Sequence, residues 1–402
     1  MRAARRLLGV AACIISAGLV AAPATGAPPR DGSPSGSAVE PTTVTVQAAD
    51  DAAVAAHAER LVAGMSTRER AASVVMGHIP TSDPAALREY MTSTGAGGFI
   101  LMGANVPGDE SALRQVTRAL TVDETLPPLI GIDEEGGDVT RLPWDDHPGA
   151  VTLKDAPAAA TAEAFAARGA LLQRAGATVN FGIVADVTSD PGSFIHRRAL
   201  GTTPQAAAER VSAAVAAEAD AVASTLKHFP GHGAAPGDSH QMLPVTDLSR
   251  AAWERADAVP FRAGIEAGAE LLMFGHLVYT AVDAAPASLS EEWHRIARDD
   301  LGFTGVSITD DLGMLQNTGE PQYADPVANA VAALAAGNDM VMAVMRSDAT
   351  TATRIIDGIT AAVDGGALPA SRLEEAATRV AALRLQSAPR GLLPCADCQP
   401  VE

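Results

Sequence analysis

Eight short, almost uninterrupted apolar runs constrain the fold of this chain more tightly than any other feature. They cover residues 72–76, 98–102, 129–133, 179–186, 223–228, 271–275, 306–310 and 340–344. Runs of this length without polar alternation suit parallel strands covered on both faces. Between them lie helical stretches rich in Ala, Leu, Arg and Glu, such as 158–175, 204–221, 253–267 and 326–336. A further one, 351–363, follows the eighth run. Strand and helix alternating eight times predict an α/β chain closed into a (β/α)8, or TIM, barrel. A doubly wound open sheet is the alternative, and it normally uses fewer strands.

The polar residues fall in register with these runs. Asp133 ends the third, Asp186 the fourth, Lys227 and His228 the fifth and Asp310 the seventh, while His276 follows the sixth. Active sites in this barrel are built on the C-terminal ends of strands, so the register itself predicts an enzyme. Lysine occurs only at 154 and 227, and every other base is arginine. A lysine at a strand end beside a histidine points to a need for a compact ammonium.

Three constellations carry the candidate chemistry. The densest is Lys227-His228-Phe229-Pro230-Gly231-His232-Gly233 followed by Asp238-Ser239-His240. Pro and two Gly make this a loop. Asp238 and His240 are two apart, so in extended backbone they point the same way. A carboxylate orients an imidazole that gives and takes protons near neutrality, which makes the pair a candidate general acid/base. His228, His232, Asp238 and His240 are zinc-ligand types as well. However, the loop excludes the helical His-x-x-x-His arrangement and no Glu base accompanies it, so no metal or other cofactor is expected. The second constellation is Thr309-Asp310-Asp311-Leu312, in which Asp310 is expected to do chemistry and Asp311 to cap the following helix. The third is Ile132-Asp133-Glu134-Glu135-Gly136-Gly137, with Arg141 four residues on; Asp133 can accept from sugar hydroxyls and Arg141 can donate to them.

The ends of the chain read differently. Arg2, Arg5 and Arg6 precede an apolar run from Leu7 to about Ala22, then Pro23 and small residues to Ala27. That is the pattern of a secretory signal over 1–27, too short for the ~20 apolar residues of a membrane helix. An uncleaved anchor or a lipid on Cys13 is the alternative, although the Val10-Ala11-Ala12-Cys13 box comes very early. The Pro-, Gly-, Ser- and Thr-rich stretch 28–50 reads as a flexible linker, the barrel as 51–388 and 389–402 as a tail. Cys395 and Cys398 suit a small disulfide in an oxidising compartment. Net charge is −19, and −22 once Arg2, Arg5 and Arg6 are removed; such a surface repels nucleic acid and anionic membrane. A monomer acting on a carbohydrate is the expectation.

The motifs, taken together, resemble the β-N-acetylglucosaminidase branch of glycoside hydrolase family 3. The resemblance rests on Lys227 to Gly233 with Asp238-Ser239-His240, on 132–142, and on 180–187 and 195–201. Pro260-Phe261-Arg262, 273–276, 287–290 and 301–314 extend it, all in family order. It implies that Asp310 is the nucleophile, that His240 is the acid/base held by Asp238, and that Asp133, Arg141, Arg198, Lys227 and His228 bind the sugar. Related β-glucosidases draw their acid/base from a second domain. This chain stops soon after its eighth unit, so the Asp-His pair would fill that role. The chain departs from the family pattern where Glu134 replaces Gln, Ala234 follows Gly233, His196-Arg197 precedes Arg198, and Ala199-Leu200 replaces Ser-Phe. The implied activity is retaining release of terminal N-acetylglucosamine from muropeptide fragments or chitin oligomers. A β-glucosidase, a phosphorylase in which phosphate replaces water at the uncharged or cationic imidazole, and a sugar-binding surface protein without catalysis are the alternatives.

Overall fold

The computed structural model describes residues 42–392. The expected signal segment, the linker as far as residue 41, and both Cys395 and Cys398 lie outside the described residues. The linker expectation needs one correction: Thr42–Ala63 form a helix. The Pro- and Gly-rich composition ends at Pro41, and no Gly or Pro occurs from 42 to 63 to interrupt a helix.

The eight runs form eight parallel strands: β1 (Val75–Gly77), β2 (Gly98–Leu101), β3 (Leu129–Ile132), β4 (Val179–Val184), β5 (Ala223–Phe229), β6 (Leu271–Phe274), β7 (Val306–Asp311) and β8 (Met340–Met342). Each pairs with the next, and β8 pairs with β1 through Val341 and Val75, closing the barrel. Two boundaries differ from the sequence reading. The first strand starts at Val75, because Thr67–Ser73 is a helix. Its capping box, in which Ser66 and Glu69 satisfy each other's backbone N–H groups, claims the apolar Ala71 and Ala72. The helix expected over 253–267 is two, Arg250–Arg255 and Ala258–Glu266. Pro260 cannot donate a backbone hydrogen bond to residue 256, so it is accommodated only in the first turn of a new helix.

The packing that positions the site centres on β5. Phe229 meets Trp253, Phe261, Phe274 and Trp293 edge-on at centroid distances of 4.9–5.9 Å. All five rings are buried, and burial of each contributes roughly 1.5–3 kcal/mol. Trp253 Nε1 also donates to Pro230 O at 2.8 Å, tying this core to the loop after β5. That loop is fastened again by a short parallel pairing of Val245–Thr246 with Val278–Tyr279. The Lys227–His228 and Phe229–Pro230 peptide bonds are cis. At the end of β4 a Cβ on Gly182 would sit 2.5 Å from Glu134 O and 2.4 Å from Asn180 Nδ2, so only glycine lets β3 and β4 approach there.

Candidate active site

The ends of β3, β5 and β7 and the loops that follow β3, β4 and β5 converge on a cavity of about 160 Å³. Asp133, Arg141, Arg198, Lys227, His228, His240 and Asp310 all line it. Asp238 stands behind His240 and orients it. The eight candidate residues, drawn from sequence positions 133 to 310, are therefore brought together.

Asp310 occupies the last turn of β7 before the chain enters the helix Leu312–Asn317. Its Oδ1 accepts from Asp311 N at 2.8 Å. Burial pushes its carboxyl upward, but His228, His276 and His240 around it outweigh that and hold it below the usual carboxylate range. It is an ionised, partly accessible carboxylate. Asp311 differs: its carboxylate accepts from Gly313 N at 2.9 Å, Val344 N at 2.8 Å and Met345 N at 2.7 Å. It caps the next helix, as expected, and also holds the loop after β8.

His240 Nδ1 donates to Asp238 Oδ1 at 2.8 Å, and the backbone N–H of His240 donates to the same oxygen at 3.0 Å. Gln241 Nε2 occupies Oδ2 at 2.8 Å. These bonds, led by that of the His240 side chain, overcome the burial penalty and keep Asp238 ionised. The His240 side chain is 49% exposed, so its Nε2 is open to a ligand entering from solvent. Phe194 abuts the ring edge-on at 5.6 Å. Behind the loop, buried His232 binds Ser239 Oγ through Nε2 at 3.0 Å. Burial lowers the His232 pKa, so the ring is a neutral anchor. Asn317 Nδ2 donates to His240 O at 3.3 Å from the other side.

The floor of the cavity is an ion-pair lattice. Lys227 Nζ bridges Asp133 Oδ1 at 2.9 Å and Glu135 Oε1 at 2.7 Å. Arg198 grips Glu135 through two bonds of 3.0 and 2.7 Å, and Arg141 Nη2 reaches Asp133 Oδ2 at 3.2 Å. Burial acts to raise the Asp133 pKa, yet Lys227 and Arg141 bring it down to about 2. His228 donates from Nδ1 to Asp186 Oδ2 at 2.7 Å, which leaves Nε2 as an acceptor facing Arg198 at 3.4 Å. Asp186 also accepts from the backbone of His232 at 2.6 Å, so one buried acid anchors both ends of this loop. His276 binds Ser288 Oγ through Nδ1 at 2.7 Å and donates from Nε2 to Asp311 O at 2.9 Å. It supports the strand end that carries Asp310.

Sequence reasoning gave Glu135, Phe194, Gln241 and Asn317 no role. Glu135 had a signal, because it lies two residues from Asp133 and so shares its face in extended backbone. A second feature had no local signal: Met102, Met273, Met314, Met342 and Met345 line the cavity with Ile100 and Val344. Five of the chain's eleven methionines thus form one wall. Glu134, expected to alter sugar contact, is not among the residues that line the cavity. Its Oε2 accepts from Arg141 N at 2.9 Å and Leu142 N at 3.0 Å. Burial, reinforced by Asp145, pushes its pKa up to about 8.

Residues 58–383 match the family model for the glycosyl hydrolase family 3 N terminal domain. A beta-hexosaminidase of Nitrosospira multiformis is 37% identical over 264 residues, 61% of this chain and 72% of that protein. A protein of Arthroderma benhamiae described as a secreted glycosyl hydrolase is 32% identical over 326 residues, 77% of this chain and 91% of that one. Among solved structures, a glycoside hydrolase family 3 beta-N-acetylglucosaminidase from Paenibacillus sp. str. FPU-7 superposes with a TM-score of 0.76 at 28% identity. The superposition covers 84% of this chain but 65% of that longer one.

Proposed function

The chain belongs to glycosyl hydrolase family 3 and is a glycoside hydrolase, and on that premise we propose that it is a retaining exo-β-N-acetylglucosaminidase with Asp310 as nucleophile and His240 as acid/base. The observation that carries this reading is the single cavity shared by Asp310 and His240, with His240 fixed by Asp238 at 2.8 Å.

In the first displacement an Asp310 carboxylate oxygen attacks the anomeric carbon. The bond from that carbon to the leaving oxygen breaks, and His240 gives its Nε2 proton to that oxygen. In the second, His240 takes a proton from water, the water oxygen bonds to the anomeric carbon, and the Asp310 ester bond breaks. Configuration is inverted twice and so retained. Asp238 compensates the imidazolium whenever His240 carries two protons. Asp133, with lone pairs left beyond its bonds to Lys227 and Arg141, accepts from sugar hydroxyls, and Arg141, Arg198, Lys227 and His228 orient the ring. The relatives named beta-hexosaminidase and the Paenibacillus beta-N-acetylglucosaminidase support N-acetylglucosamine as the sugar. The signal-like N-terminus and the secreted Arthroderma relative favour export, and with it muropeptide fragments or chitin oligomers as substrates.

The test is hydrolysis of a chromogenic β-N-acetylglucosaminide and of the corresponding glucoside by wild type and Asp310→Asn. The expected result is turnover of the first substrate and a loss on the order of 10⁴-fold or more in the variant. A 5-fluoro glycosyl donor should leave a label on the peptide that holds Asp310. Label on another residue, or no turnover of either substrate, sinks the reading. Adding phosphate to the same assay distinguishes the phosphorylase alternative, because sugar 1-phosphate would then replace free sugar.

A further inference from the structure

At the opposite, N-terminal end of the strands lies a second cavity, about 220 Å³, whose lining contains no carboxylate. It is bounded by the helix Glu110–Leu120, by Pro127 and Pro128 leading into β3, by Gly176 and Thr178 leading into β4, and by the last helix, Ala370–Leu392. Three of its lining residues are arginines, Arg114, Arg118 and Arg384. In a chain with 48 acids and 29 bases, an acid-free pocket holding three arginines runs against the composition.

The hydrogen-bonding state of the lining points the same way. Arg114 and Arg118 make no side-chain ion pair or hydrogen bond among the described residues. By contrast Arg174, on the neighbouring helix, is paired to Glu110. Arg384 is buried and donates to Leu126 O, to Pro127 O at 3.0 Å and to Ser73 Oγ at 3.3 Å, all uncharged acceptors. Ser387 is 1% exposed, and its Oγ has no partner. Thr178 Oγ accepts from Ile130 N at 2.8 Å, which leaves its own proton free to donate. The groups that face the cavity uncommitted thus include two guanidinium forks and the hydroxyls of Thr178 and Ser387, each able to donate. Arg118 is exposed and Arg114 half-buried at the rim of the cavity, while Thr178 and Ser387 are buried in its floor; a buried hydroxyl without a partner is rare in folded proteins, and beneath arginine forks with no acid in the lining it suits a multiply charged oxyanion.

We propose that this cavity is a binding site for a phosphate-class tetrahedral oxyanion, held by Arg114, Arg118, Thr178 and Ser387 with Arg384 as a buried countercharge. It lies on the barrel face opposite the catalytic one. Its occupant would therefore stabilise the contact between the last helix and β3–β4 without entering the reaction.

The test uses the full chain, thermal unfolding and calorimetric titration with inorganic phosphate and, separately, glycerol phosphate, against chloride at matched ionic strength. Wild type should show a saturable rise in Tm at millimolar phosphate. Arg114→Gln/Arg118→Gln should bind at least tenfold more weakly while keeping wild-type glycosidase activity, since neither residue touches the catalytic cavity. Ser387→Ala should weaken binding to a lesser degree and serves as a second, independently folding variant. Saturation by the free ion alone assigns the site to inorganic phosphate; saturation by both assigns it to a phosphoryl group on a larger molecule. The same phosphate response in wild type and both variants, or no saturable response in wild type, overturns the proposal.

Discussion

Glu134→Gln should separate the pH dependence of stability from that of activity. The Glu134 carboxyl is fully buried, accepts two backbone N–H bonds on Oε2 and has no partner on Oε1. Burial first, and the nearby Asp145 second, push its pKa from 4.5 up to about 8, so at pH 7 it is roughly 90% protonated. An amide has the same shape, accepts the same two bonds and can donate towards Asp145, so the site asks for what glutamine supplies. Folded Glu134 keeps its proton until about pH 8, whereas the unfolded chain releases it near 4.5. Between those values the folded state holds the extra proton, and stability falls as pH rises, by about 1.4 kcal/mol per unit for one such group. The glutamine variant lacks this loss. Its stability relative to wild type should climb from near zero at pH 5 to a few kcal/mol at pH 8 and then level off, which is roughly 2 °C in Tm per kcal/mol. Differential scanning calorimetry from pH 5 to 9 measures it, and kcat/KM at pH 7 should stay within about threefold of wild type because Glu134 does not line the cavity. A constant difference in Tm across that range would show that Glu134 is ionised throughout and refute the assignment.

Other perturbations probe the remaining groups. His240→Ala should lose roughly 10-fold with a nitrophenyl leaving group and on the order of 10³-fold with a sugar aglycone, because acid assistance matters less when the leaving group is good; equal losses would contradict His240 as the acid. Removing the anchor behind it, by His232→Ala or Ser239→Ala, should lower kcat about tenfold at nearly constant KM, with Ser239→Thr restoring it; unchanged kinetics would show the loop stands without that bond. Dilute peroxide should inactivate the enzyme as the methionine wall becomes polar sulfoxide, and N-acetylglucosamine should protect; mass spectra showing oxidation at Met102 or Met345 with full activity would refute this. Wild-type stability should be greatest near pH 4: Glu218 and Asp257, raised by burial to about 8 and about 7, shed stability as pH rises above their unfolded values, while Asp133, lowered to about 2, sheds it only as pH falls below about 4. A Tm maximum above pH 8 would contradict that balance.

What the sequence makes legible is whatever is written locally. Parallel strands covered on both faces need continuous apolar residues, so β2 to β8 can be read directly, and a charged residue that ends such a run, as Asp133 and Asp310 do, stands out at once. Competing local signals blur the edges. Ala71 and Ala72 satisfy a strand pattern and a helix pattern equally, and the decision rests on Ser66 and Glu69 upstream. What is not legible depends on partners distant in the chain. Glu135 acquires its role from Arg198, 63 positions away, and Glu134 its raised pKa from burial. The methionine wall collects one or two residues from each of several strand ends, and no window of sequence contains enough of them to show a pattern. The family resemblance supplied roles for Arg198 and His228 that spacing alone did not.

Asp310 and Asp311 show how far position alone can separate two identical side chains. They are consecutive in β7, and successive side chains of a strand leave it in opposite directions. One step places the Asp310 carboxylate among His228, His276 and His240, which outweigh its burial and favour its ionised form. The other step sends the Asp311 carboxylate into the turn, where three backbone N–H groups saturate it. Burial nonetheless raises Asp311 to about 6, with the charge on Asp310 adding to the effect. Asp310, the proposed nucleophile, therefore weakens the charge of the neighbour that must hold still. The arrangement survives because Asp311 needs lone pairs rather than charge for its bonds, and a carboxyl offers those in either state. Asp311→Asn should consequently destabilise the fold, because either placement of its amide sets an NH2 group against a backbone N–H, of Met345 on one side or of Gly313 and Val344 on the other, whereas Asp310→Asn should keep the fold and remove the proposed nucleophile.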